Sequence, residues 1–155
     1  MKKAIVYSSA TGNTKLLAEA IKEKLNEDVY CGEPDDSVLD SDLIYVGFWA
    51  QAFSSCVPIT EFLAKLENKK IFLFGTAGYN DTPEFFQSIL DAAKKNISAS
   101  NEVVGEFMCM GKVSANKQEA IKKMDLEKFE SMKANLDKSQ SHPNEADIVA
   151  LVAKL

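Results

Sequence analysis

The chain has 155 residues, of which 46% are hydrophobic, and a formal charge of −5, which suits one domain with one core. All 18 basic residues are lysine, and without arginine the chain is a poor candidate for nucleic-acid recognition. No apolar run approaches a membrane span, and the basic start MKKAIVYSS has too short an apolar run for a signal peptide, so the expectation is a cytoplasmic monomer with neither membrane nor nucleic acid as partner.

The first expected strand is about Lys3–Ser8. A helix follows over about Asn13–Leu25, with Leu16, Leu17, Ala20, Ile21 and Leu25 on one face. A short second strand lies near Asp28–Cys31, and GEPDDSVLDS, with room for a single helical turn, leads to the third, Asp42–Trp49. The loop AQAFSSCVP opens a helix from about Val57 to Leu66, and KKIFLFGT, Lys69–Thr76, is the fourth strand. A second loop, AGYNDT, precedes a helix from about Pro83 to Asn96, with Pro83 in a favoured first-turn position. Strands one, three and four are nearly continuous apolar runs, as when helices cover both faces of a parallel sheet. The fifth, about Glu102–Gly111, is interrupted by Gly105 and Glu106, which suits an edge.

Residues 112–140 are charged and helix-forming, with Ile121, Met124, Phe129, Met132 and Leu136 as a loose apolar stripe. The terminal SHPNEADIVALVAKL reads as a capped helix, with Pro143 near its start and Ile148, Leu151, Val152 and Leu155 facing inward. His142 beside it reads as a surface cap residue. The stretch 112–140 is therefore expected to be a helical insertion between strand five and the last helix of a single domain, residues 1–155. The alternation predicts an α/β fold: a three-layer α/β/α sandwich around a five-stranded parallel sheet of order 2-1-3-4-5, with right-handed connections. The cysteines, Cys31, Cys56 and Cys109, are widely spaced, with no C-x-x-C. Neither a disulfide framework nor a metal site is expected.

The stretch SSATGNT, Ser8–Thr14, carries the chemistry. It lies at the carboxyl end of strand one, beside the switch point where open parallel sheets bind ligands. It also opens a helix, whose first N–H groups lack partners and attract an anion. Gly12 lets the backbone approach closely. Ser9, Thr11 and Thr14 offer hydroxyls and Asn13 an amide, so a phosphate can be held by neutral donors. A plain helix cap accounts for one hydroxyl, not for this density.

SSATGNT resembles the phosphate loop of flavodoxins, commonly S/T-x-T-G-x-T, at the N-terminal place where they carry it. The resemblance extends over roughly Lys2–Gly111 and the terminal helix, and it implies FMN as cofactor. Ala10 departs from the pattern where flavodoxins often have a further hydroxyl; its N–H remains available. Flavodoxins hold the flavin ring between the loops after strands three and four, usually with aromatic stacking. The resemblance thus implies Trp49 and Tyr79 as stacking residues with Phe53 in reserve, against core packing as the alternative. It places the backbone of Ala50 and of Thr76, Ala77 and Gly78 at the ring edge, and Met110 and Gly111 in the pocket lining.

An electron-rich ring beside a flavin in an acidic protein disfavours the reduced anion and lowers its potential. Flavodoxins often place a glycine after strand three, whereas here Ala50-Gln51-Ala52 follow. Positive φ at an alanine costs roughly 1 kcal/mol or more, so weaker stabilisation of the one-electron-reduced flavin is expected.

The resemblance implies an electron carrier between a reductase and an acceptor enzyme, with no catalytic side chain. Small flavodoxins that serve one dedicated reductase, including those associated with bilin reduction, also resemble the chain. The alternative is an FMN-dependent NAD(P)H:quinone or azo-compound reductase using residues 112–140 as a substrate cover. A response-regulator receiver would need acidic residues where Ser8-Ser9 and Phe48-Trp49 stand. The G-x-G-x-x-G, G-x-x-x-x-G-K-[ST] and G-x-S-x-G patterns are absent, and a low-molecular-weight phosphatase would need an arginine. The intact phosphate loop argues against a scaffold that has lost its cofactor.

Overall fold

The computed structural model describes residues 1–155. Its strands are β1 (Lys3–Tyr7), β2 (Tyr30–Gly32), β3 (Leu43–Gln51), β4 (Ser54–Ser55), β5 (Lys70–Ala77) and β6 (Glu102–Met110). Its helices are α1 (Asn13–Leu25), α2 (Val57–Leu63), α3 (Pro83–Lys94), α4 (Ala115–Met124), α5 (Leu126–Ser139) and α6 (Glu145–Val152), with one 3-10 turn at Asp36–Val38. The sheet order is β2-β1-β3-β5-β6, all parallel, with β4 added antiparallel to β3. This is the expected order with one extra strand.

Alternation along the strands sorts side chains into two cores. Ala4 and Val6, Ile44, Val46 and Phe48, and Ile71 and Leu73 meet α2 and α3 on one face. Ile5, Tyr45, Phe72, Phe74, Phe107 and Cys109 meet α1 and α6 on the other. The layers are therefore helix, sheet, helix. On α1 the buried face is Thr14, Leu17, Ala18 and Ile21. Leu16, expected inside, is 43% exposed, because the helix phase set by Leu17 and Ile21 turns it to solvent.

Three glycines accommodate phenylalanine rings across the sheet. A Cβ on Gly47 would lie 2.3 Å from the Phe74 ring, one on Gly75 2.6 Å from Phe48, and one on Gly105 2.7 Å from Phe72. Each glycine is the register partner of the phenylalanine it accommodates. β6 is an edge strand. The register slips between Ile71 and Phe72, leaving Val104 as an extra, exposed residue. Glu106, which interrupts the apolar run, faces α3: Lys94 Nζ lies 2.7 Å from Oε2, and Gln87 Nε2 donates to Oε1 at 3.1 Å.

Several expected boundaries move. The helix begun at Val57 ends at Leu63 rather than Leu66, and the next one ends at Lys94 rather than Asn96. The loop after Trp49 is instead a hairpin: β3 continues to Gln51 and turns through Ala52 and Phe53 into β4. Residues 112–140 hold α4 and α5. Met124, expected on their apolar stripe, is 87% exposed at the corner between them, whereas Leu136 is fully buried. The last helix is capped by Asn144, whose Oδ1 accepts from Asp147 N at 3.0 Å, while Asp147 Oδ2 accepts from Asn144 N at 2.9 Å. His142 is not the cap; its Nδ1 lies 2.7 Å from Asp147 Oδ2. Leu151 is buried, with Ile148 and Leu155 packed beside it; Val152 lies outside that core.

Candidate functional site

At the carboxyl ends of β1, β3 and β5 lies a cavity of about 750 Å3. Its size falls within the range of small-molecule sites, roughly 300–1,000 Å3. One end is the Ser8–Thr14 loop, the walls are aromatic, and α4 and α5 close one side.

The loop is built around Ser9. Its Oγ accepts from Gly12 N at 3.0 Å and from Lys15 N at 3.3 Å. Gly12 is the α1 cap residue with φ 96°, in the left-handed region. Nothing lies within 4 Å of a Cβ built there, so the conformation, not space, calls for glycine. The cap residues of α3, α4, α5 and α6 each accept a side-chain hydrogen bond from their own helix, and Gln51 Oε1 accepts from the first amide of α2 at 3.0 Å. In α1 the N–H groups of Asn13 and Thr14 have no acceptor among the loop, turn and cap bonds. They form an amide pair at the positive end of the helix dipole.

Two of the loop side chains do other work. Asn13 Nδ2 donates to Lys112 O at 3.0 Å, with Thr11 Oγ1 at 3.4 Å; the amide expected to face an anion instead ties the loop to the chain after β6. Thr14 is fully buried, and its Oγ1 lies 3.3 Å from Thr76 Oγ1.

Trp49 is the first of the three β3 residues that line the cavity, and Tyr79 follows β5. Lys117 Nζ, from α4, lies 5.8 Å from the Trp49 ring centroid and 5.4 Å from that of Tyr79. The β3–β4 turn places Ala52 at φ 51° and Phe53 at φ 60°. A two-residue hairpin with both central residues left-handed normally carries Asn-Gly; here the penalty is about 1–2 kcal/mol per residue. Phe53 is 71% exposed and meets Phe85 edge to face, with centroids 6.4 Å apart.

The cavity brings together Ala10, Thr11, Asn13, Trp49, Ala50, Thr76, Ala77, Gly78, Tyr79 and Gly111. Ser9, Gly12 and Thr14 shape the loop from behind. Met110 does not reach the cavity: it pairs with Ala77 in the sheet and is buried, so Gly111 alone represents the end of β6. A Cβ on Gly111 would lie 2.8 Å from Asn13 Nδ2 and 3.1 Å from Thr76 Cβ, which joins three segments at one point. Sequence reasoning missed Phe85 and Ile89 of α3 and Lys117 and Lys128 of α4 and α5. The aromatic pair Phe85-Phe86 just after the second loop was the available signal for α3.

No thiol lines the cavity. Burial pushes the Cys56 and Cys109 thiols up, and to a lesser depth Cys31. No histidine lines the cavity either; its polar side chains are hydroxyls, amides and lysines. The donor set fits FMN: free amides at a helix start for a phosphate, and Trp49, Tyr79, Phe53 and Phe85 for a flat aromatic ring.

No helix is long and apolar enough to cross a membrane. Residues 4–154 match the family model described as flavodoxin domain. Flavodoxin-like domain-containing protein BilS of Clostridioides difficile (strain CD3) is 31% identical over 96% of this chain and 90% of its own length. Its namesake in Clostridium symbiosum (strain WAL-14163) is 33% identical over 97% and 92%. Among solved structures, a flavodoxin of Streptococcus pneumonia TIGR4 superposes with TM-score 0.53 at 19% identity, over 89% of this chain and 99% of that one. A flavoprotein from Lactobacillus acidophilus NCFM, solved in complex with FMN, gives 0.52 at 16% identity, over 70% and 93%. The likeness to these two structures is one of fold; the match over nearly the whole chain is one of family, and the chain belongs to the flavodoxin domain family.

Proposed function

We propose that the chain binds FMN and carries electrons between a reductase and an acceptor enzyme. The observation that supports this best is the continuity of the cavity, from Ala10, Thr11 and Asn13 at the start of α1 to the aromatic walls of Trp49 and Tyr79. The phosphate would be held by Asn13 N–H and Thr14 N–H with the Thr11 hydroxyl. The ring would lie against Trp49 and Tyr79, with backbone of Ala50 and of Thr76–Gly78 at its edge. FMN supplies the electron chemistry; the chain binds it, orients it and keeps water from it.

A second reading draws on α4 and α5. Val113, Ser114, Lys117, Ile121, Lys128 and Met132 line the cavity, as a cover in an NAD(P)H-dependent quinone or azo-compound reductase would. One preparation separates the two. The chain is purified, titrated with FMN while flavin fluorescence is followed, and then assayed for NADH and NADPH oxidation with no partner protein. Tight FMN binding with negligible turnover supports the carrier. Rapid unaided turnover replaces it with the reductase. A chain that binds no FMN rejects both.

A further inference from the structure

The cavity's charge is opposite to that of the chain. The chain carries 23 acidic side chains against 18 lysines. Yet Lys112, Lys117 and Lys128 line the cavity, and no aspartate or glutamate does. None of these three lysines enters an ion pair; those that do are Lys2, Lys3, Lys65, Lys94, Lys133 and Lys138.

Lys117 is the best placed of them. Its ammonium is within 6 Å of both ring centroids, 5.4 Å from Tyr79 and 5.8 Å from Trp49, the range of cation–π attraction. Its own N–H donates to the Ser114 Oγ cap at 3.2 Å, which fixes the first turn of α4. One cation is thus near both aromatic walls, with no carboxylate in ion-pair contact with it.

We propose that Lys117 is a redox-tuning residue, whose ammonium binds two-electron-reduced flavin more tightly than oxidised flavin and so raises the two-electron midpoint potential. The inference rests on the FMN reading above. Reduction adds two electrons from an external donor and one proton from solvent to a neutral ring, leaving one negative charge on it. The oxidised ring gains little from a neighbouring ammonium; the reduced ring gains a Coulomb attraction. The chain's net charge points the other way. At ordinary ionic strength, however, screening limits exposed charges to about 8–10 Å, so the lysines lining the site outweigh acids on the far surface.

The test uses the whole chain reconstituted with FMN. The Kd for oxidised FMN is measured by fluorescence, and the midpoint by dithionite titration against a reference dye, for wild type, K117Q, K117M and K117R. Lys117 is exposed and α4 has no buried residue, so these changes leave the cores intact. In K117Q and K117M, oxidised FMN should bind within about threefold of wild type while reduced FMN binds about tenfold more weakly, a fall of about 30 mV for a two-electron couple. K117R should restore most of the difference. A midpoint unchanged in both neutral variants, or equal weakening of the two redox forms, overturns the inference and leaves FMN binding standing. A wild-type chain that takes up no FMN overturns both.

Discussion

The hydroxyls of Thr14 and Thr76 lie 3.3 Å apart, one at the start of α1 and the other near the end of β5, both shut away from solvent. They tie the Ser8–Thr14 end of the cavity to the end of β5. Thr14→Val keeps the shape but leaves the Thr76 hydroxyl buried without a partner, at about 1–3 kcal/mol. Thr76→Val should cost the same. The double variant should lose less than the sum, because no orphan remains. Urea denaturation of the four proteins gives the cycle, and strictly additive losses would mean that the two hydroxyls act independently.

Gly47 and Phe74 form a pair of another kind. A methyl group at position 47 would meet the Phe74 ring at 2.3 Å, in a core where neither side can retreat. Gly47→Ala should cost about 1–3 kcal/mol through overpacking. Shortening the ring with Phe74→Leu should be less harmful in the Gly47→Ala background than in wild type. Chemical denaturation midpoints decide this, and a neutral Gly47→Ala would show that the sheet gives way there.

Ala52 bears the opposite cost. It is held at φ 51° without the freedom of glycine. Ala52→Gly removes the left-handed penalty and adds some unfolded-state entropy, for a net gain of about 0.5–1 kcal/mol. The gain should be visible as a higher melting temperature of the FMN-free chain. A loss would mean that the alanine methyl makes a contact worth more than the strain.

Stability should fall on the alkaline side. Burial raises the Cys109, Cys56 and Tyr45 ionisations in the folded chain. Their ordinary values are 9.0 for the thiols and 10.0 for the phenol. Above those values the unfolded chain has released protons that the folded chain still holds. Unfolding is then favoured by rising pH. The stabilisation is complete below about pH 8 and is lost progressively above 9. Urea midpoints at pH 7.5 and 10 measure the slope, and Cys109→Ala should flatten it. An unchanged slope would place the alkaline weakness elsewhere.

The parallel strands were legible because a strand buried on both faces must be apolar throughout: Ile44–Phe48 and Ile71–Phe74 have no other economical home. The Ser8–Thr14 loop was legible as a dense donor set because Ser9, Thr11, Gly12 and Asn13 together serve no ordinary turn. The β3–β4 hairpin was not. Its turn residues, Ala52 and Phe53, lack the glycine or asparagine that announces left-handed backbone, and only the surrounding structure imposes it. Asn13 was legible as a donor but not as a tether, since its acceptor, the Lys112 carbonyl, is 99 positions away. The stripe of Ile121, Met132 and Leu136 foretold helices in 112–140. Which surface they would lie on is set by contacts that no local pattern carries, and so Lys117 stayed hidden.

The glycine–phenylalanine pairs bear on how a mutational scan of this chain should be interpreted. Gly47 and Gly75 stand only two residues before Trp49 and one before Thr76, immediately beneath the cavity floor. Loss of ligand at those positions would look like loss of a contact, yet neither residue lines the cavity. A band of intolerant positions will therefore run under the site and belong to the sheet. Separating it from true ligand contacts requires that abundance and ligand retention be scored separately, variant by variant.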